Sequence, residues 1–310
     1  MNAQTDSWPE LRYEDYKDTR DTLHMESQII GKLRLALTPP LAQWGHAPLR
    51  LSSDGLTTGP LWVVDGALGI DLGLTRHEAL LQHSDGRRQN ISLVQPVADF
   101  FHDIQACLRF MEVDVSINPM PQEVANPISF DADTVHTTYE EDQASRLWQA
   151  MIRVGSVYEA FQSGYWGKQS PVSFYWGGFD LGMSRYSGRF MEAPEGLPKI
   201  MTGSLDAESF SLSFSFGRDD MMREPGFVAL AHPMPPSASN ARILPERASY
   251  VEVPGMGGMF TLRYEDVRTS ADPRQAMLEF ARSTYEAVAD ASGWDRDQLE
   301  RKPPDLLCTA

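Results

Sequence analysis

The chain has 310 residues, 42% hydrophobic and 23% charged, with 43 acidic side chains against 27 basic ones and a formal net charge of −16. That supplies ample material for a buried core and argues against a nucleic-acid partner, because binding phosphate backbones depends on Lys and Arg displacing counterions. No apolar run approaches the roughly 20 residues a membrane helix requires, and the only cysteines, Cys107 and Cys308, make no disulfide framework, so a cytoplasmic protein without a membrane partner is expected.

Residues 1–7 lack the basic and apolar segments of a secretory signal and are expected to be disordered. Residues 19–37 read as a helix stopped by Pro39-Pro40, which cannot continue the backbone ladder. From 47 to 93 the pattern becomes short strands, punctuated by Asp54-Gly55, Asp65-Gly66 and Asp85-Gly86, dipeptides suited to tight turns. Leu68, Ile70, Leu72 and Leu74 alternate with Gly69, Asp71, Gly73 and Thr75, as on a half-buried strand. Val97, Phe100, Phe101, Ile104, Leu108 and Met111 then recur at helical spacing. Residues 118–139, with Pro119, Pro121 and Pro127, form an irregular connector. A second amphipathic helix spans 140–163.

Strands return at 171–187, and Ser209 to Phe216 alternates strictly between hydroxyl and apolar, the clearest strand signal in the chain. Strands near 248–253 and 258–264 precede a last helix from Pro273, capped by Asp272. The tail 300–310 is expected to be disordered. The order helix, strands, helix occurs twice: a run ending in Gly31-Lys32 and a later one ending in Gly167-Lys168 each lead into strands and then an amphipathic helix. The expected fold class is therefore α+β, antiparallel sheets covered by amphipathic helices. Two similar halves, 8–117 and 140–299, would be joined by the 118–139 connector and packed on a common seam, where a pocket would form.

Familiar cofactor motifs are missing. Neither Gly-Lys pair sits in a phosphate-binding loop, Gly255-Met256-Gly257-Gly258 lies between strands rather than before a helix, and no Gly-x-Ser-x-Gly elbow occurs. No cofactor and no metal is expected. His77 and His83 have the wrong separation for a helical zinc pair, and a site from His24, His46 and a carboxylate is a minor variant.

Plotted at about 100° per residue, the first helix gathers Met25, Ile29, Ile30 and Leu33 on one side and His24, Gln28, Lys32 and Gly31 on the other. A solvated polar face would explain the second group. Leu35 on that face, and Gly31 at a cost of about 1 kcal/mol relative to Ala, suggest instead that something packs close. Glu26 falls inside the apolar arc, where lost hydration would raise its pKa as in general acids. Farther on, Phe174-Tyr175-Trp176-Gly177-Gly178-Phe179-Asp180 continues to Arg185-Tyr186-Ser187-Gly188. It combines aromatics, glycines that mark close backbone approach, and an Asp/Arg pair.

With Trp8-Pro9-Glu10-Leu11, Gln28-Ile29-Ile30-Gly31-Lys32-Leu33, Gly55-Leu56-Thr57-Thr58, Ser170 through Gly177 and Gly293-Trp294-Asp295, these segments resemble a bacterial family known as domain of unknown function 5996, over about Trp8 to Arg301. The resemblance implies a bacterial protein and carries no established activity. The chain departs from the family's pattern at Glu26, where an aromatic is usual, and at Asp206-Ala207-Glu208, where a His-Glu pair is usual.

The leading functional expectation is a cofactor-independent acid/base enzyme on a small polar or anionic molecule. His24, Glu26 and Asp180 would be its catalytic groups, and Gln28, Lys32, His46, Lys168, Trp176 and Arg185 would bind substrate. A non-catalytic small-molecule binding or sensing protein is nearly level with it, and a structural or interaction protein stands behind. The substrate and oligomeric state are not legible in the sequence.

Overall fold

The structure, a computed structural model, describes residues 8–192, 202–219, 222–253 and 257–300; of the segments expected to be disordered, 1–7 and 301–310 lie outside these, whereas Glu300 is described and accepts from Tyr285 and Arg296. It is a mixed α+β fold with two antiparallel sheets and several helices. The chain divides into two compact units, the first made of residues 9–152 and 173–180, the second of Trp8, 153–172 and 181–300. The division falls within a helix, and the 118–139 connector lies inside the first unit.

In the first unit, helix α1 (Tyr13–Leu37) starts six residues before the predicted position and ends at Thr38, whose extended backbone precedes Pro39-Pro40. Tyr13 and Tyr16 are buried in its added first turns, and Arg20 Nη2 donates to Tyr13 Oη at 2.9 Å. Strands β1 (Arg50–Leu51), β2 (Gly55–Thr57), β3 (Leu61–Val63), β4 (Gly66–Gly73), β5 (Glu78–His83) and β6 (Arg88–Ser92) form an antiparallel sheet in the order β1-β2-β4-β5-β6, with β3 also paired to β4. The alternation in β4 buries Leu68, Ile70 and Leu72. Helix α2 (Val97–Phe110) buries Val97, Phe100, Ile104 and Leu108 and packs against α1 and β6. Helix α3 (Glu141–Gln162) follows the connector. Strand β7 (Ser173–Tyr175) bridges the first sheet's edge through reciprocal backbone bonds between Leu49 and Phe174, at 2.9 and 3.0 Å.

In the second unit, β8 (Asp180–Phe190), β9 (Ala207–Ser215), β10 (Gly226–His232), β11 (Ser249–Val253) and β12 (Gly257–Arg263) pair antiparallel in the order β11-β12-β10-β9-β8. The hydroxyl-apolar alternation behaves as a two-faced strand: Phe210, Leu212 and Phe214 are buried, while Ser211 is half-buried and bonds Ser184 across the strand pair at 2.7 Å. Helix α4 (Tyr264–Arg268) leads to α5 (Pro273–Ala291), whose cap Asp272 accepts from the Gln275 N–H at 2.9 Å. Helix α5 covers β9 and β10, and the short α6 (Arg296–Leu299) follows.

Candidate functional site

Helix α1 presents a contradiction: it is buried on almost every side from Thr22 to Leu33, yet half of those residues are polar. The connector resolves it. Its irregular stretch at 120–122 still owes partners to its backbone groups, and α1 supplies them. Gln28 makes a reciprocal pair with Gln122, Nε2 donating to the carbonyl at 2.7 Å and Oε1 accepting from the N–H at 2.8 Å. Lys32 Nζ donates to Met120 O at 2.8 Å and lies 5.9 Å from the Phe130 ring. The predicted strip is thus a covered face rather than a solvated one, and side chains one turn apart each hold main-chain atoms.

His24 completes the strip through a different segment. Its Nε2 lies 2.8 Å from Gly177 O and 3.1 Å from Gln28 Nε2. A carbonyl can only accept, so the ring proton sits on Nε2 and points at Gly177. Around it, residues 176–180 form a tight turn. Phe179, at φ 56°, sets its ring 5.4 Å from His24 and 5.0 Å from Phe174, and Trp176 Nε1 donates to Ala47 O at 2.9 Å.

Gly31 faces this turn: a Cβ there would fall inside the Trp176 indole, which is the close packing the sequence suggested. Gly177 and Gly178 leave room for the carboxylates of Glu123 and Asp180 respectively, since a Cβ on either would stand within 2.7 Å of a carboxylate oxygen. Asp180 therefore belongs to the same turn as His24's partner, and Glu123 is a neighbour that the sequence reading did not single out.

Glu26 is 0% exposed, and neither carboxylate oxygen has a hydrogen-bond partner. Burial raises its pKa well above the ordinary carboxylate value, which favours the neutral form. Burial, and then the proximity of Glu26, raise the Tyr139 pKa in turn, while the Tyr139 hydroxyl lies 3.1 Å from His77 Nδ1.

His46 is buried beside the end of α1. Its Nδ1 accepts the Leu41 N–H at 3.0 Å, and its ring stacks on Trp44 with centroids 5.5 Å apart and planes at 22°. Burial and the charge of Arg34 lower its pKa. An imidazole accepting at Nδ1 is neutral with its proton on Nε2.

The remaining predicted residues lie in the second unit. Arg185 is 4% exposed, with its guanidinium carbon 3.5, 4.5 and 4.7 Å from the ring centroids of Phe161, Tyr285 and Tyr165. Nη2 donates to Phe161 O. Burial pushes its pKa down to about 10, partly offset by Tyr285 and Tyr165, so the cation persists at neutral pH and is held by ring faces. Lys168 is exposed, with Nζ 5.0 Å from the Tyr186 centroid. Glu208, at the segment where the family pattern carries a His-Glu pair, accepts from Arg189 at 2.5 and 2.7 Å and from Ser187 at 2.5 Å. Burial alone would raise its pKa, but these bonds outweigh it and hold the carboxyl below the usual range.

The structure thus brings His24, Gln28, Lys32, Trp176 and Asp180 into contact with one connector and one turn of the first unit, and gives Arg185 and Lys168 separate surroundings in the second. Among the described residues, no three His, Cys, Asp or Glu side chains gather as metal ligands would, so the His24–His46 metal variant does not form there. No helix among them is long and apolar enough to cross a membrane.

The model of a family of unknown function, DUF5996, matches residues 8–301, and the chain belongs to that family. No curated protein and no solved structure matches it.

Proposed function

We propose that this family member is a binding protein for a small polar or anionic molecule, held by the first unit and released unchanged. One observation carries the reading: Lys32, Arg34 and Arg50 are all partly or wholly withdrawn from water in that unit, burial lowers the pKa of each, and among the described residues no carboxylate pairs with any of them. Desolvated cations without counter-charges are costly, and a bound anion would offset that cost. His24 and Lys32, the groups suited to proton transfer, are engaged with carbonyl oxygens. That favours holding a ligand over transforming it.

Thermal unfolding of dialysed protein against a panel of small carboxylates and phosphates tests the reading. A true ligand stabilises in proportion to ln(1 + [L]/Kd), about 2.7 kcal/mol at a hundredfold excess over Kd. The stabilising anion should be recovered intact after prolonged incubation. A panel in which no anion stabilises beyond chloride refutes the reading.

A second reading, an acid/base enzyme, is favoured by Glu26, a sealed carboxyl whose pKa burial raises, two residues along α1 from His24. Conversion of a stabilising ligand, lost in Glu26→Gln, would establish it. We also hold that the halves descend from a duplicated helix–sheet–helix unit, a reading supported by the antiparallel sheet and amphipathic helices in each. A reducing cytoplasm suits the sparse cysteines.

A further inference from the structure

Three elements of the first unit end in one neighbourhood: the last turn of α1, the loop after it, and the β1–β2 pair. Arg34 Nη1 donates to Thr58 O, the residue after β2, and Arg50 in β1 is the register partner of Thr57. Two arginines from different elements therefore converge on adjacent positions of one short strand pair. Arg50 Nη1 is steadied by Ser173 Oγ in β7. The convergence is close enough for each charge to be felt, since Arg34's pKa is lowered by burial and then by Arg50, and His46 in turn senses Arg34.

The neighbourhood has donors and too few acceptors. Arg34 Nε is buried without a partner, and so is Trp44 Nε1, on the ring stacked against His46. His46, accepting through Nδ1, turns an Nε2–H outward from that bond. Buried polar atoms are paired in nearly all folded proteins, so two unpaired N–H groups beside two like charges call for an occupant. That occupant must accept hydrogen bonds and carry negative charge. Two permanent guanidinium charges beside a neutral imidazole match a dianion; a monoanion would leave one of them uncompensated.

We propose that Arg34, Trp44, His46 and Arg50 form a binding site for the phosphate group of a small molecule. This deepens the reading that the first unit holds an anion, and rests on it. Of the four residues, only His46 stood out in the sequence, because the other three gain their meaning from a strand register and a loop.

Isothermal titration of the full chain with inorganic phosphate, glycerol phosphate and acetate, at low ionic strength and pH 7.5, tests it. Phosphate species should bind and acetate should bind at least about tenfold more weakly. Arg50→Gln should raise the phosphate Kd at least about tenfold, as expected for losing a charged hydrogen-bond partner. Arg34→Lys, which keeps the charge but loses the planar fork, and Trp44→Phe, which removes only an N–H, should each raise it about three- to tenfold. Arg12→Gln, an exposed cation elsewhere in the unit, should leave it within twofold. Tighter binding of glycerol phosphate than of inorganic phosphate would identify an esterified ligand; the reverse would identify the free ion. If phosphate binds wild type and the three site variants bind it equally well, anion binding stands and this site falls. If acetate matches phosphate, the dianion assignment falls. If none of the three probes binds, the site and the reading beneath it both fail.

Discussion

Glu26 opposes the hydrophobic packing around it with one polar group and no partner. A protonated carboxyl buried without a hydrogen bond costs about 1–3 kcal/mol. Glu26→Leu, close in volume, should therefore raise the stability of the chain by at least about 1 kcal/mol in urea unfolding at pH 7, where release of the proton on unfolding adds to the cost in wild type. The pH dependence has a definite sign. Glu26's folded pKa lies above the ordinary 4.5, so between those two values the folded state holds a proton that the unfolded chain releases. Its contribution is fully present below pH 4.5 and is lost as pH rises toward the raised value. Stability of Glu26→Leu should fall less steeply than wild type across that window; parallel slopes would show that Glu26 is not the group titrating.

Gly31 sets two residue-scale effects against each other. Ala is better than Gly in a helix by about 1 kcal/mol, but its methyl would overlap the Trp176 ring. Overpacking of a fixed aromatic costs about 1–3 kcal/mol and occasionally more. Gly31→Ala should be destabilising in the same assay, and a stabilised variant would mean that the indole moves aside freely.

At the scale of elements, α1 and the connector form one structural unit. Gln28→Ala should cost about 1–3 kcal/mol, from the vacated space and the lost pair with Gln122. The Gln122 amide should then exchange its hydrogen markedly faster, while amides of β4 and β5 do not. Much of this level was legible in the sequence. The apolar periodicity predicted α2 at 97–111 and α3 at 140–163, within a residue of the observed ends. The start of α1 was not legible, because Tyr13 and Tyr16 are the only large apolar side chains in a charged stretch.

Gly31 and Leu35 signalled a covering layer over α1, but nothing in composition says that the layer is backbone. The Arg34–Arg50 neighbourhood was illegible for a different reason. Its members have no shared period, and a three-residue strand carries too little pattern to reveal its register.

For the whole molecule, the net charge of −16 makes a local positive neighbourhood an exception within a negative field. Long-range repulsion slows an approaching anion, and salt screens it beyond about 10 Å at 0.1 M, whereas the short-range attraction at desolvated arginines is screened less. Phosphate association rates should therefore rise, or hold steady, as potassium chloride increases from about 10 to about 100 mM and the Debye length shortens from about 30 to about 10 Å. A steep fall with salt would mean that the cations are solvated and the site is open surface.

The hydrogen bonds by which Gln28 and Lys32 hold the connector all end on its main chain: the carbonyls of Met120 and Gln122 and the Gln122 N–H. Such recognition is blind to what those residues are. Side chains at 120 and 122 can drift freely across substitutions, since any non-proline residue at 122 offers the same pair of groups, while Gln28 and Lys32 have few substitutes. A saturation library should accordingly show broad tolerance at 120 and 122 and narrow tolerance at 28 and 32, an asymmetry between the clasp and what it clasps.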